Sequence, residues 1–204
     1  MVKTCLPRVS EPAMYLIYYF PSVALYQKFV RMLAKDYNNS MKKFEQLRHA
    51  MIAFEKGNSK HIQHFLKVYE FAHIICSEDQ VDPLTTQIVE SAALVHDIGI
   101  NTCLEKYQSS AGHLQEKEGP SLAIQMMEEI GYDPEFIYRV AYLVGHHHSY
   151  DEIDGLDYQI LIEADFLVNM YEEAYSQEQI ESVYQKSFRG FVKKSVYLIF
   201  YDRF

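Results

Sequence analysis

Residues 82–99 read DPLTTQIVESAALVHDIG. Asp82 stands where a helix N-cap is expected, and Pro83 falls in the first turn, where its missing N–H is tolerated. The segment then stays largely apolar or small through Val95 and ends in His96 and Asp97, two residues before Gly99. The pattern predicts a buried helix that stops at the glycine. Burying an imidazole or a carboxylate without a partner is costly. Something must therefore compensate His96 and Asp97.

The flanking sequence is helical in the same way. SMKKFEQLRHAMIAFEKG, residues 40–57, offers Ser40 as a cap, spaces Phe44, Leu47, Met51 and Phe54 at helical intervals, and stops at Gly57. NSKHIQHFLKVYEFAHIIC, residues 58–76, is capped by Asn58 or Ser59, with Ile62, Phe65, Val68, Ala72 and Ile75 as its apolar stripe. PSLAIQMMEEIG (120–131), DPEFIYRVAYLVGHHH (133–148) and DYQILIEADFLVNMYEEA (157–174) predict three more helices, and a last one starts near Ser176. From Gly99 to Gly119-Pro120 the chain turns polar, which predicts a loop of about twenty residues, long enough to gate a substrate. There is no sustained strand alternation and no repeat. The expected class is all-α, a compact multi-helix bundle, with residues 1–35 as an N-terminal appendage and 36–204 as the domain.

Composition sets limits on function. The chain has 204 residues, 49% of them apolar, and 19 basic against 28 acidic side chains, for a net charge of −9. Such a balance argues against gripping a nucleic acid backbone. It leaves room for a small phosphorylated ligand at a local cationic site, which a metal can supply. Cys5, Cys76 and Cys103 form no CxxC pair, so a reducing, cytoplasmic setting is expected. The apolar stretch AMYLIYYFPSVAL, residues 13–25, is too short to span a bilayer and is broken by Pro21. Glu11 and the internal proline also weigh against a signal peptide. No membrane partner is expected, and homo-oligomerisation is left open.

The nine histidines are unevenly placed. His61, His64 and His73 share one helix, His96 ends the next, His113 lies in the polar stretch, and His146, His147 and His148 end another. Asp97 and Asp165 sit in apolar surroundings. Imidazole and carboxylate together form a ligand set for a divalent transition metal, and such an ion would compensate buried Asp97 and fix His96 as a neutral donor. Bland readings stand beside this one. The triple histidine can complement a helix dipole. Glu116 and Glu118 read as solvated charges, and Lys106, Lys117 and Arg139 as surface residues.

The order His, His-Asp, distant Asp resembles the HD-domain superfamily of metal-dependent phosphohydrolases. It is carried by H-x-x-x-V at His64, by small-small-L-x-H-D-I-G around His96 and Asp97, and by the inward Asp165, over residues 40 to 185 or so. QEKEGP, YLVGHHHSY and DGLDYQILIEADFLVN look like a bacterial subgroup of stand-alone HD proteins. The resemblance implies an all-helical fold in which His64, His96, Asp97 and Asp165 bind one divalent metal (Mn, Fe, Co, Ni or Zn), with a second ion left open. It implies hydrolysis of a phosphomonoester or phosphoanhydride, on a nucleotide or another small phosphorylated metabolite, with metal-activated water as nucleophile. His146, His147 and Glu116 are then the candidates for orienting phosphate or handling a proton. His61 and His113 stand where that subgroup has basic residues and are not assigned as ligands. A diiron oxygenase and a catalytically silent metal-binding or nucleotide-sensing module are the alternatives.

Overall fold

The computed structural model of the protein describes residues 23–190, so the stretch 13–25 lies outside them except for its last residues. The described residues form eight helices and no strand. They are α1 (Val23–Phe54), α2 (Ser59–Glu78), α3 (Pro83–Val95), α4 (Ile100–Tyr107), α5 (Gly112–Ile130), α6 (Pro134–Val144), α7 (Leu156–Glu172) and α8 (Gln177–Ser187). The all-α class expected from the periodicity holds. No helix among the described residues is long and apolar enough to cross a membrane.

By its contacts the chain divides into Met1–Lys42 and Lys43–Phe204. The described part of the first unit is the opening of α1, where Leu25, Val30, Met32, Leu33, Tyr37 and Met41 are exposed. Ser40 lies inside α1 and does not start it. The preceding YQKFVRMLAKDYNN contains neither proline nor glycine, so nothing in it breaks a helix.

The second unit is built around α3, which packs against α2, α6 and α7. Its Val89, Ser91, Ala92, Ala93, Leu94 and Val95 are all buried. A helix whose last turn is buried on every side belongs in the middle of a bundle, and its serine and alanines let three neighbours approach closely. Helices α2 and α7 also pack on each other, as do α5 and α6, while α4 lies on α5 and α8 on α7. Leu47, Leu94, Met127 and Leu161 are fully buried in the shared core, each worth about 1.5–3 kcal/mol relative to exposure. The ends are set as the sequence suggests. Asp82 accepts from Leu84 N and Thr85 N, Asn58 accepts from His61 N, and Ser176 forms a capping box with Gln179.

The expected loop of residues 100–119 is instead mostly helix. Helix α4 occupies its first part, α5 begins at Gly112, and only Gln108–Ala111 separates them. Pro120 lies inside α5, at a usual cost of about 3 kcal/mol. Glu105, Lys106 and Lys117 of this region are exposed, while Cys103, Gln115 and Gly119 form the buried side. Gly99 is where the two meet: a Cβ there would stand 3.0 Å from Gly119 N and 3.2 Å from Gln115 O. The turn after α3 therefore lies directly against the α5 backbone.

Candidate metal centre

The mutual packing of α2, α3 and α7 brings together side chains far apart in sequence. His64 sits within α2, His96 and Asp97 in the turn after α3, and Asp165 within α7. His64 Nε2 is 3.3 Å from His96 Nε2, 3.2 Å from Asp165 Oδ1 and 3.4 Å from Asp97 Oδ2. His96 Nε2 is 3.4 Å from Asp97 Oδ2 and 3.5 Å from Asp165 Oδ1. His64, His96 and Asp165 are all buried.

The other ring nitrogen of each histidine fixes its tautomer. His64 Nδ1 lies 3.1 Å from Glu172 Oε2, and His96 Nδ1 lies 2.9 Å from the Ala93 carbonyl. Facing an acceptor, Nδ1 carries the proton and donates it, which leaves Nε2 as a lone pair. Two such lone pairs then face each other, and Asp165 Oδ1, buried and without a hydrogen-bond partner, points at the same place. Neutral imidazoles cannot satisfy this arrangement. Protons are one remedy. Burial pulls His96 down, but Asp97 and Asp165 outweigh it and raise it to about 9. His64 is also raised, against its burial, chiefly by the Asp165 carboxylate 3.2 Å away. Burial opposes charge on Asp97 and Asp165 as well, yet the imidazoles beside them hold both carboxyls below the usual range. The cluster calls for positive charge at its centre. Its donors are those that take a divalent transition metal, and the residues fit one.

A second group adjoins the first. Asp97 Oδ1 is 3.4 Å from His147 Nε2, and His147 Nδ1 lies 2.8 Å from the Val144 carbonyl, which again leaves Nε2 as the lone pair. Asp97, His147 and His148 each offer a ligand atom within 4.8 Å of the others, as do His64, His96 and Asp165. His147 Nε2 and His148 Nε2 are buried without hydrogen-bond partners. Burial first, and then the neighbouring His147, hold His148 down to about 4, so it is a neutral donor. Asp97 thus turns one oxygen to each group.

The three consecutive histidines diverge. His147 and His148 join the cluster, whereas His146 stacks on Tyr142 at 4.1 Å and donates from Nδ1 to the Tyr142 carbonyl. Of the candidates His146 and His147, then, only His147 reaches the cluster, and His148 takes the place expected of His146. Helix α6 ends at Val144, and the following turn, not the helical spacing, aims the rings. The His148 ring rests on Gly112, where a Cβ would stand 2.6 Å from it. Glu116 does not line the cleft; its Oε1 accepts from His148 N and Ser149 Oγ and so braces the turn. His113 is exposed. Lys106 pairs with Glu118, Lys117 Nζ donates to the Tyr107 hydroxyl, and Arg139 pairs with Asp157 and Asp154.

A cleft of about 350 Å³ opens over the first group. Besides His64, Asp97, Asp165 and His148 it is lined by Lys60, His61, Gln115 and Asn169. Sequence reading passed over Glu172, which orients His64, and Asn169. The signal was present, since Asp165, Asn169 and Glu172 follow the i, i+4, i+7 spacing of one helix face. Gln115 escapes the sequence pattern because its segment reads as a polar loop. Its Nε2 donates to the Ser110 carbonyl, and its Oε1 is buried without a partner.

A model of the HD domain matches residues 61–184. Among solved structures, the chain is similar to a predicted HD superfamily hydrolase from an uncultured Thermotogales bacterium. The two are 22% identical, the match covers 76% of this chain and 82% of the other, and the TM-score is 0.52. At that identity the likeness speaks for the fold. A search of curated proteins finds no match.

Proposed function

The chain belongs to the HD-domain family, matched over residues 61–184, and on that premise we propose that it is a metal-dependent phosphohydrolase acting on a nucleotide or another small phosphorylated metabolite. The observation that carries the reading is the convergence of the His64 and His96 Nε2 lone pairs on Asp97 and Asp165 beneath an open cleft. His64, His96, Asp97 and Asp165 would hold the ion. A divalent metal bound there supplies activated water at neutral pH and offsets the charge that develops on phosphorus.

The chain's own residues do the rest. Glu172 and the Ala93 carbonyl keep His64 and His96 in the donor tautomer. Glu116 holds the turn that carries His147 and His148. Gln115 lines the cleft and is held there by its bond to the Ser110 carbonyl. Metal analysis of the purified protein, joined to a screen of phosphorylated metabolites, tests the reading. Stoichiometric divalent metal and release of phosphate from at least one class of ester or anhydride are expected. Bound metal with no turnover across the panel would leave a silent binding module instead.

One observation favours a second reading. Asp97 is shared between two ligand groups, which suits a pair of ions and hence a diiron oxygenase. Iron-dependent oxygen consumption, absent with zinc or manganese, would decide for it.

A further inference from the structure

His61 and Glu55 form a second pairing of imidazole and carboxylate at the edge of the cleft. His61 precedes His64 by three residues in α2, so the two rings share a helix face, and both line the cleft. His61 belongs to neither group of converging ligands. Its Nδ1 lies 3.3 Å from Glu55 Oε2. Glu55, just past the end of α1, is only 2% exposed. It also accepts from Asn58 Nδ2 at 3.1 Å and from Asn101 Nδ2 at 3.0 and 3.1 Å. Both amides are neutral. Of the side chains that donate to Glu55, His61 is the one that can exchange a proton.

The bond to Glu55 fixes which nitrogen does so. Nδ1 stays the donor, so Nε2 is the atom that gives up or takes up a proton, and it makes no hydrogen bond to any described residue. A buried carboxylate that holds one imidazole nitrogen and leaves the other open to a cleft is the arrangement of a general acid–base pair. Its surroundings are mixed in charge: Lys60 beside it, with His64, His148, Asp97, Asp165, Glu172 and Glu173 around the same cleft.

Building on the phosphohydrolase reading, we propose that His61 is the catalytic acid of this site and Glu55 its positioning residue. As the water oxygen bonds to phosphorus, the bond from phosphorus to the leaving oxygen breaks and its electron pair stays with that oxygen. The Nε2–H of protonated His61 passes its proton there. The proton shed by the attacking water returns through solvent to Nε2, and the net reaction is addition of one water across the phosphorus–oxygen bond. Glu55 also ties the end of α1 to Asn58 and Asn101, so a purely architectural role is the competing explanation.

Leaving-group chemistry separates the two. The full chain, loaded with the metal that supports wild-type turnover, is assayed on esters graded from 4-nitrophenyl phosphate to alkyl phosphates. His61→Ala should lose about 100-fold or more on alkyl esters, the usual scale for a general acid. It should lose less than about tenfold on 4-nitrophenyl phosphate, whose leaving group departs unprotonated. Its metal content should equal that of the wild type. Glu55→Gln should show the same graded loss, smaller throughout. If His61→Ala does not fold, His61→Gln carries the same comparison. An equal loss for every leaving group, no loss at all, or loss of metal overturns the assignment of His61 while the phosphohydrolase reading stands. A wild type that hydrolyses none of the esters or anhydrides overturns both.

Discussion

Asp97 turns Oδ2 to His64 and His96 and Oδ1 to His147. Asp97→Ala therefore removes a donor from both ligand groups at once. Metal content should fall to a small fraction of the parent's, and activity by about a thousandfold or more, since the activated nucleophile goes with the ion. Metal analysis of the purified variant checks this, and full occupancy would overturn the assignment. Glu172 acts one step further out. Glu172→Ala frees the His64 ring to turn and should weaken metal binding by about 10–100-fold, the usual effect of losing such a partner, as read by competition with a chelator. The consecutive histidines should separate cleanly. His146→Ala should keep parent-like metal content and turnover, because its ring rests on Tyr142 outside both groups. His147→Ala should lose activity, and a fall in total metal in that variant would count for two ions.

At the scale of elements, α7 is divided in function. Asp165, Asn169 and Glu172 face the cleft or its ligands, while Glu163 is buried elsewhere, at 2% exposure. Glu163 Oε1 accepts from Gln159 Nε2 and Arg189 N, both at 2.6 Å. Burial nevertheless dominates and raises its carboxyl to about 7. A carboxyl raised on folding contributes stability below its unfolded value, near 4.5, and loses it as pH rises through about 7. The span is worth on the order of 3 kcal/mol. Glu163→Gln keeps an acceptor for both donors and removes the titration. It should match the parent near pH 4.5 and exceed it in stability at pH 8, with denaturant unfolding at equal metal load as the measurement. Equal stability at pH 8 would show that Glu163 ionises freely. The elements themselves were legible to different degrees. Helix α3 could be read from Asp82, Pro83 and its unbroken apolar run. The helices α4 and early α5 could not, because their apolar side is narrow and partly made of Cys103, Gln115 and Gly119, and Pro120 read as a boundary. The HD pattern singled out His64, His96, Asp97 and Asp165, which the fold brings together, because residue types and spacing carry that signal. The aim of His148 and the bonds of Glu172 and Glu55 depend on turns and on partners up to 108 positions away, which no local pattern encodes.

For the molecule as a whole, the division after Lys42 sets how much chain the site needs. Every candidate ligand and every cleft residue lies beyond it, in Lys43–Phe204. So do the core residues of α1: Phe44, Leu47 and Met51 are buried, whereas Leu25, Val30, Met32, Leu33, Tyr37 and Met41 are exposed. A protein shortened to begin at Met32 retains all three buried residues and about three turns of helix ahead of Phe44. It should fold, bind the parent's complement of metal and unfold at the same midpoint. Beginning instead at Ile52 removes Phe44, Leu47 and Met51 together. Cutting back one such side chain costs about 2–5 kcal/mol, and a domain has only about 5–15 kcal/mol in all, so this shorter protein should neither fold nor bind metal. Circular dichroism and metal analysis of the two check the contrast. If the Met32 version is insoluble or metal-free, residues before Met32 are part of what holds the domain together. If the Ile52 version folds and binds metal, α1 is dispensable, and the stability of the site rests on α2, α3 and α7 alone.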